Sequence, residues 1–282
     1  MALAAERGDI EIVAVDAMQV YRGMDIGTAK PTLDDQRAVR HHCIDLVEPG
    51  EQFTVAEFQR AARAALAGVA SHGNTAVLVA GTGMYLTAVI DNFSLPGEWP
   101  EIRTRLEATT DINALYRQLR DLDPTAAAKI EPGNQRRIVR ALEVCLGSGR
   151  EFSSFGPGAD AYPPIETPQI GLRWPRDQLT TRVAQRVHQM MELGLLAEVQ
   201  GLLDRPGGVS RTARQALGYR ELIVALETGG SISAAVDEII LRTRQFAVRQ
   251  ERWFRRDPRV QWVDITADPV AAVLPIVRQH LS

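Results

Sequence analysis

The sequence predicts an α/β fold in which short strands alternate with helices, and three observations support this class. Residues 10–15 (IEIVAV) and 75–80 (TAVLVA) are mostly apolar runs rich in β-branched residues, the pattern of strands covered on both faces in a parallel sheet. A polar or Gly-rich turn follows each run, and helical patterns follow the turns. The recurrence of strand, turn and helix predicts a parallel sheet with helices on its faces.

Helix signals between the two strands agree with this class. Thr54 and Glu57 form a T-x-x-E capping box, which predicts the start of an Ala-rich helix that runs to about Ala70. Gly73 and Asn74 then turn the chain into the second strand.

The character of the sequence changes after residue 95. Breakers at Pro96, Gly97 and Pro100 precede four helical segments, predicted at about 101–108, 112–121, 124–129 and 134–147. The Gly/Pro-rich run 155–164 (FGPGADAYPP) closes the region, and we find no convincing strand within it. We therefore predict three parts: an α/β core at 1–95, a helical insertion at 96–164 and a mostly helical second part of the core at 165–282.

Apolar periodicity organises the last part of the chain. Residues 170–174 (IGLRW) are predicted as the next core strand, and a helix is expected from Thr180 to about Leu203. Its apolar face contains Val183, Val187, Met190 or Met191, and Leu195. Further helices are predicted at 215–227 and 232–254, and 260–263 (VQWV) is expected to return to the sheet.

Composition narrows the class of protein. The 282 residues carry a net charge of −3 with 45% hydrophobic and 24% charged residues, as in a globular protein. No apolar run approaches the roughly 20 residues of a membrane span, and the N-terminus lacks a signal-peptide pattern, so we expect a cytoplasmic protein without membrane contact. Cys43 and Cys145 show no CxxC spacing and are expected to be free thiols.

Positive charge is concentrated in arginine, since Lys30 and Lys129 are the only lysines. Residues 242–259 form a basic stripe, with seven arginines against Glu251 and Asp257. The stripe is typical of RNA phosphate contact, and the alternative is a solvated helix face.

Asp16 stands at the carboxyl end of the first predicted strand. Ligands of open α/β sheets bind beyond the carboxyl ends of the strands, so a carboxylate here is a candidate for catalysis. A helix cap or turn aspartate is an equal alternative on spacing alone.

The segment that begins at Asp16 resembles a family signature. Residues 16–31 (DAMQVYRGMDIGTAKP) are similar to the D-S-x-Q-x-Y-x-G-x-D-I-G-T-A-K-P motif of the tRNA dimethylallyltransferases, also called tRNA isopentenyltransferases. Further similar segments follow in the family's order, at 80–91 (AGTGMYLTAVID), 136–144 (RRIVRALEV), 186–199 (RVHQMMELGLLAEV), 216–222 (ALGYREL) and 249–264 (RQERWFRRDPRVQWVD). The resemblance covers nearly the whole chain.

The resemblance implies a P-loop NTPase-like core and a specific reaction. Members transfer a dimethylallyl group from dimethylallyl diphosphate to N6 of adenosine 37, beside the tRNA anticodon. The expected partners are the tRNA anticodon stem-loop and dimethylallyl diphosphate, and we expect a monomer. Mg²⁺ is implied only through the diphosphate, with few protein ligands, and the neighbours His41, His42 and Cys43 are expected to have a loop or packing role.

Two residues match the catalytic positions of the family. Asp16 matches the general base, because a carboxylate can accept the proton of the amine as the C–N bond forms. Thr82 matches a threonine near the target base, where its hydroxyl would help to fix the Watson–Crick edge of adenine. Judged alone, Thr82 is equally consistent with a helix cap.

Two segments match regions that contact tRNA in the family. The first comprises Asp16, Ala17, Met18 and Gln19, together with Thr82. At position 17 this chain has alanine where the family usually has serine. For Met18, apolar packing is a better interpretation than RNA contact. The second is Arg136, Arg137, Ile138, Val139 and Arg140, whose arginines are spaced to meet one RNA strand, unless they form a charged outer face.

Arg186 resembles an arginine that binds diphosphate in the family, and a salt bridge to a helix carboxylate is the alternative. The family's usual N-terminal strand and P-loop (G-P-T-x-x-G-K-[ST]) find no counterpart in this sequence. We therefore expect either a start further upstream or a truncated gene, and a nearly inactive 282-residue form. Two rival functions remain at this point: a P-loop-type nucleotide phosphotransferase, and a noncatalytic tRNA-binding remnant.

Overall fold

A computed structural model describes residues 1–156, 158 and 161–281 of the chain. The chain forms two compact units, the first made of residues 1–91 and 164–282 and the second of residues 92–163. Part of the predicted Gly/Pro-rich run at 155–164, namely Pro157, Ala159 and Asp160, lies outside the described residues.

A three-stranded parallel sheet forms the centre of the first unit. Its strands are β1 (Ile10–Val15), β2 (His41–His42) and β3 (Thr75–Ala80), in the order β2-β1-β3. Pairing of Ile10 with Thr75 through Val15 with Ala80 sets β1 and β3 in register, so both strands end at the same edge. The predicted α/β class with a parallel sheet is confirmed.

Four helices accompany these strands: α1 (Ala2–Glu6), α2 (Leu33–Ala38), α3 (Val55–Ser71) and α4 (Gly83–Ile90). The capping box predicted for α3 is present, because the Thr54 hydroxyl accepts from the Glu57 N–H and the Glu57 carboxylate accepts from the Thr54 N–H. These two hydrogen bonds satisfy backbone N–H groups at the start of α3 that have no acceptor within the helix.

The second unit is helical. It contains α5 (Pro100–Glu107), α6 (Ile112–Leu122), α7 (Pro124–Lys129) and α8 (Gln135–Ser148), followed by a 3-10 turn at Phe152–Phe155. Its core includes Leu115, Leu119, Ile138 and Leu142. The four predicted helices are confirmed to within one residue at each end.

The chain then returns to the first unit, with β4 (Gln169–Arg173), α9 (Arg176–Glu192), α10 (Leu195–Leu203), α11 (Tyr219–Thr228), α12 (Ile232–Phe254), β5 (Val260–Asp264) and α13 (Pro269–Gln279). The predicted apolar face of α9 is buried at Val183 and Val187, and Leu195 is buried as the first residue of α10. The single helix expected to Leu203 was wrong, because Gly194 adopts a φ of 99° and separates α9 from α10.

The strands β4 and β5 pair with each other in parallel and form a separate two-stranded sheet. The expectation that both would join the central sheet was therefore wrong for the described residues. β3 is an edge strand whose Val79 is 58% exposed, and Leu172 of β4 is 49% exposed. Hydrogen-bonding partners of a strand depend on tertiary contacts, which apolar periodicity does not encode.

Burial follows the predicted pattern elsewhere in the first unit. The apolar core joins β1 to the helices through buried side chains that include Val13, Val15, Phe58, Tyr219 and Leu222. Cys43 and Cys145 are free, as predicted. In the described part of the chain, no helix is both long and apolar enough to cross a bilayer.

Candidate active site

Asp16 directly follows β1, and one of its two carboxylate oxygens is held by the backbone. Oδ1 accepts hydrogen bonds from the N–H groups of Met18 (2.7 Å) and Gln19 (3.2 Å). Among the described residues, none donates a hydrogen bond to Oδ2. The turn interpretation of Asp16 therefore holds for Oδ1, and Oδ2 keeps Asp16 a candidate for catalysis.

Thr82 follows β3 and approaches Asp16 from the neighbouring strand. It occupies the N-cap position of α4 without making a side-chain capping bond. Its Oγ1 instead accepts a hydrogen bond of 3.3 Å from the Ala17 N–H. Register between β1 and β3 brings the two predicted catalytic residues to one edge of the sheet, where the hydroxyl proton of Thr82 can point to another acceptor.

The rest of the segment after Asp16 has mainly structural contacts. Met18 packs against the core of the first unit, as its simpler interpretation predicted. The Gln19 side-chain nitrogen donates to the carbonyl oxygens of Thr28 (3.1 Å) and Ala29 (3.3 Å). Its amide nitrogen thus ties the Asp16 turn to the loop at 25–31, and only the amide oxygen is left for a base edge.

Lys30 anchors that loop from inside. Its side chain is buried, and Nζ donates to Asp25 Oδ1 (2.6 Å), Asp45 Oδ1 (2.6 Å) and the Tyr21 carbonyl oxygen (2.7 Å). An ammonium group buried with three acceptors is already compensated. Lys30 therefore supports the loop, and its ammonium group is already engaged by these three acceptors.

Glu198 and Tyr219 hold the same loop from α10 and α11. Glu198 Oε2 accepts from the N–H groups of Asp25 (3.1 Å) and Ile26 (2.9 Å), and the Tyr219 hydroxyl accepts from the Gly27 N–H at 3.1 Å. Sequence reasoning did not single out either residue, although both lie in segments that resemble the family. Their role in holding the loop depends on the packing of α10 and α11 against it, and these helices are distant from the loop in sequence.

Arg186 lies on the exposed side of α9. Among the described residues it has no ion-pair partner, so the salt bridge considered as its alternative is not seen. Arg182, one turn earlier, lies over the Trp174 ring with its guanidinium carbon 4.1 Å from the ring centroid. Arg186 is thus open to an anion, whereas Arg182 is engaged with an aromatic ring.

In the second unit, the segment at 136–140 divides into exposed and buried positions. Arg136 and Arg137 are exposed at the start of α8, whereas Ile138 and Val139 are in the helical core. Arg140 donates to the Pro96 (3.0 Å) and Gly97 (3.1 Å) carbonyl oxygens. Helical periodicity turns Ile138 and Val139 inward and Arg140 holds the preceding loop, so Arg136 and Arg137 are the arginines of this segment that remain candidates for RNA contact.

Ion pairs reduce the charge of the predicted basic stripe. Arg242 pairs with Glu238 at 2.6 Å and Arg255 pairs with Glu251. Arg259 is mostly buried against Asp91 (2.6 Å) and Asp257 (2.7 Å). Arg249 and Arg252 remain exposed on α12. Arg249 and Arg252 therefore remain candidates either for RNA phosphate contact or for a solvated helix face, whereas Arg242, Arg255 and Arg259 are engaged in ion pairs.

Comparisons with known proteins show which family the chain belongs to. Residues 19–257 match the family model described as IPP transferase. A tRNA dimethylallyltransferase of Kineococcus radiotolerans is 46% identical over 90% of this chain and 80% of its own length, and one of Salinispora tropica is 44% identical over 96% and 85%. The crystal structure of a tRNA isopentenylpyrophosphate transferase of Bacillus halodurans is 37% identical, with a TM-score of 0.70 over 99% of this chain and 90% of that one.

Proposed function

Since the chain belongs to the IPP transferase family, we propose that it transfers a dimethylallyl group from dimethylallyl diphosphate to N6 of adenosine 37, beside the anticodon of tRNA. The family and the curated relatives, which are named tRNA dimethylallyltransferases, support the reaction. The observation that carries the proposal is the Asp16 carboxylate, with Oδ1 fixed by two N–H groups and Oδ2 left for a proton.

The proposed step is a displacement at the allylic carbon. The lone pair of N6 forms a bond to C1 of the dimethylallyl group, and the bond from C1 to the diphosphate oxygen breaks, so its electron pair leaves with pyrophosphate. Asp16 Oδ2 takes the proton that N6 loses. A carboxylate that its neighbours hold in one rotamer loses little orientational freedom on reaching the transition state.

Thr82 is proposed to orient the target base. Its hydroxyl accepts from the Ala17 N–H, so its own proton is directed elsewhere and can be donated to the Watson–Crick edge of adenine. The base has to leave its stack to reach this edge of the sheet, as is general for enzymes that act on a base.

Arg186 is proposed to bind the diphosphate, because a guanidinium group meets phosphate oxygens in a bidentate manner. The described residues contain no group of three or more His, Cys, Asp or Glu side chains arranged to hold a metal ion. Mg²⁺ is proposed to accompany the diphosphate as part of the substrate, with water as most of its ligands.

The helical unit at 92–163 is proposed to be the insertion that contacts the anticodon stem-loop. Arg136 and Arg137 carry this part of the proposal, since they are exposed neighbours at the start of α8. We propose that the protein acts on its tRNA as a monomer.

The experiment is mass spectrometry of nucleosides from tRNA incubated with the protein and dimethylallyl diphosphate. We expect adenosine to gain one five-carbon prenyl unit, and the rate of this gain also tests the expectation that the 282-residue form is nearly inactive. Asp16→Asn keeps the acceptor for the two N–H groups but cannot take a proton, so turnover should fall by roughly 10²-fold or more. Asp34→Asn, at an exposed aspartate of α2, is the matched control and should leave turnover unchanged.

The two rival functions give different results. A nucleotide phosphotransferase would consume ATP without tRNA and leave adenosine unmodified. A noncatalytic remnant would bind tRNA without prenyl transfer at any concentration of the donor. Prenyl transfer by Asp16→Asn at the unaltered rate would remove Asp16 from the role of base.

A further inference from the structure

The side chain of Gln250 reaches the candidate active site from α12. Its Nε2 donates a hydrogen bond of 2.7 Å to the carbonyl oxygen of Gly81, the residue between β3 and Thr82. The bond joins positions 169 residues apart in sequence. Gln250 is half-buried, and a partly desolvated amide that has one well-placed acceptor favours a single rotamer.

Gly81 is therefore held at both of its polar groups. Its N–H donates to the Val15 carbonyl oxygen at 3.3 Å and continues the ladder between β3 and β1, while its carbonyl oxygen accepts from Gln250. Two bonds in different directions fix the orientation of the Gly81 residue. The next residue is Thr82, so this orientation sets where the Thr82 hydroxyl lies.

Gln250 is also close to the proposed base. A Cβ built on Gly81 would lie 3.2 Å from Gln250 Nε2 and 3.6 Å from Asp16 Oδ2. The unbonded oxygen of Asp16 and the amide of Gln250 thus border the same small volume beside Gly81. A displacement of Gly81 would change this volume, in which the reacting amine has to be placed.

Trp253 completes the contact one turn later on α12. A Cβ built on Gly83 would overlap with Trp253 Cδ1, so the indole occupies the space that any other residue at position 83 would need. The helix α12 therefore contacts the turn on either side of Thr82, through Gln250 at Gly81 and Trp253 at Gly83.

We propose that Gln250 is a positioning residue for prenyl transfer, which acts through the Gly81 carbonyl to hold Thr82 and the space beside Asp16 in the reactive arrangement. The inference rests on the proposed function of Asp16 and Thr82. Gln250 binds neither substrate, so its loss affects the chemical step and leaves the affinity for tRNA and for dimethylallyl diphosphate unchanged. Displacements of about 1 Å from such a loss lower turnover by as much as roughly 10²-fold.

The test compares Gln250→Met with Gln245→Met. Methionine has nearly the length of glutamine but donates no hydrogen bond, and Gln245 is an exposed glutamine on the same helix. We expect Gln250→Met to lower kcat by about 10-fold to 100-fold with both KM values within about two-fold of the unaltered protein. Gln245→Met should change neither. Hydrogen exchange of the peptide that contains Gly81 to Gly83 should be faster in Gln250→Met alone.

The second variant is Gln250→Asn, whose amide is one methylene too short to reach the Gly81 carbonyl oxygen. It replaces Gln250→Met in the same measurements if Gln250→Met does not fold. An unchanged kcat in a folded variant overturns the proposal, as does a higher KM for either substrate at constant kcat. Absence of prenyl transfer by the unaltered protein would instead count against the proposed function, so the two failures are distinguishable.

Discussion

The Tyr219 hydroxyl donates a hydrogen bond of 2.5 Å to Glu198 Oε1, and this pair joins α11 to α10 below the loop at 25–31. Burial and the adjacent Glu198 carboxylate raise the pKa of Tyr219 above its ordinary value, so the phenol stays protonated and remains a donor. The same hydroxyl accepts from the Gly27 N–H, and Glu198 accepts from Asp25 and Ile26. Two side chains therefore fix three consecutive backbone amides.

Tyr219→Phe should destabilise the first unit. The ring is retained, but the Gly27 N–H and Glu198 Oε1 both lose a buried partner, at a cost of about 1–3 kcal/mol. Urea unfolding measures the loss. The same change at half-buried Tyr116, whose hydroxyl donates to the Ala127 carbonyl oxygen, should cost less because water can reach that carbonyl. A loss at Tyr219 no larger than the loss at Tyr116 would mean that the two hydrogen bonds of the Tyr219 hydroxyl stabilise the fold no more than the single, half-buried bond of Tyr116.

Arg186→Lys should raise the KM for dimethylallyl diphosphate by about 10-fold and leave the KM for tRNA unchanged. Lysine keeps the charge but loses the bidentate fork that suits phosphate oxygens. Steady-state kinetics with each substrate varied in turn gives both constants. Arg176→Lys, at an exposed arginine at the start of α9, is the control. A donor KM equal to that of the control would exclude Arg186 from the diphosphate site.

Replacing Arg136 and Arg137 together with alanine should weaken tRNA binding and flatten its salt dependence. Each phosphate contact releases counterions, so the slope of log K against log salt should decrease in magnitude by about 1 to 2. Filter binding over a range of salt concentrations measures it. The control replaces Arg60 and Arg63, two exposed arginines of α3, with alanine, so that both double variants have the same net charge. The same slope for both double variants would place Arg136 and Arg137 outside the RNA contact.

Stability of the first unit should decrease in acid through Glu11. Hydrogen bonds from His42 and Asn74, with a weaker contribution from His72, lower the pKa of this buried carboxyl from its ordinary value of 4.5 to about 2. Because the folded-state pKa is the lower one, the unfolded chain binds the proton more readily between these values. The stabilisation is therefore complete above pH 4.5 and is lost as the pH falls toward 2.

Urea unfolding at about pH 5 and about pH 3 measures this dependence. Glu11→Gln should be less stable at the higher pH and should lose less stability on acidification than the unaltered protein. Glu51→Gln, at an exposed glutamate, should retain the original dependence. An equal acid loss in Glu11→Gln would assign the effect to other carboxyl groups.

Local sequence patterns were sufficient for most elements of secondary structure. β1 and β3 were predicted at their observed bounds because buried strands are continuous apolar runs, and α3 because its capping box is a local motif. The separation of α9 from α10 was missed because a single glycine gives little local signal until its φ is known. Pairing of β4 with β5 was missed because strand partners are chosen by contacts between distant residues.

The sequence by itself determined the family, the α/β class, and the residues Asp16, Thr82 and Arg186 as candidates, since their motifs are contiguous and specific. Only the tertiary structure decided which atom of Asp16 is free of backbone contacts, that Lys30 is buried, and that Gln250 meets Gly81. The physical reason is that a hydrogen bond depends on distance and direction in space. For side chains separated by more than one helical turn or hairpin, these quantities are set by packing of the whole unit.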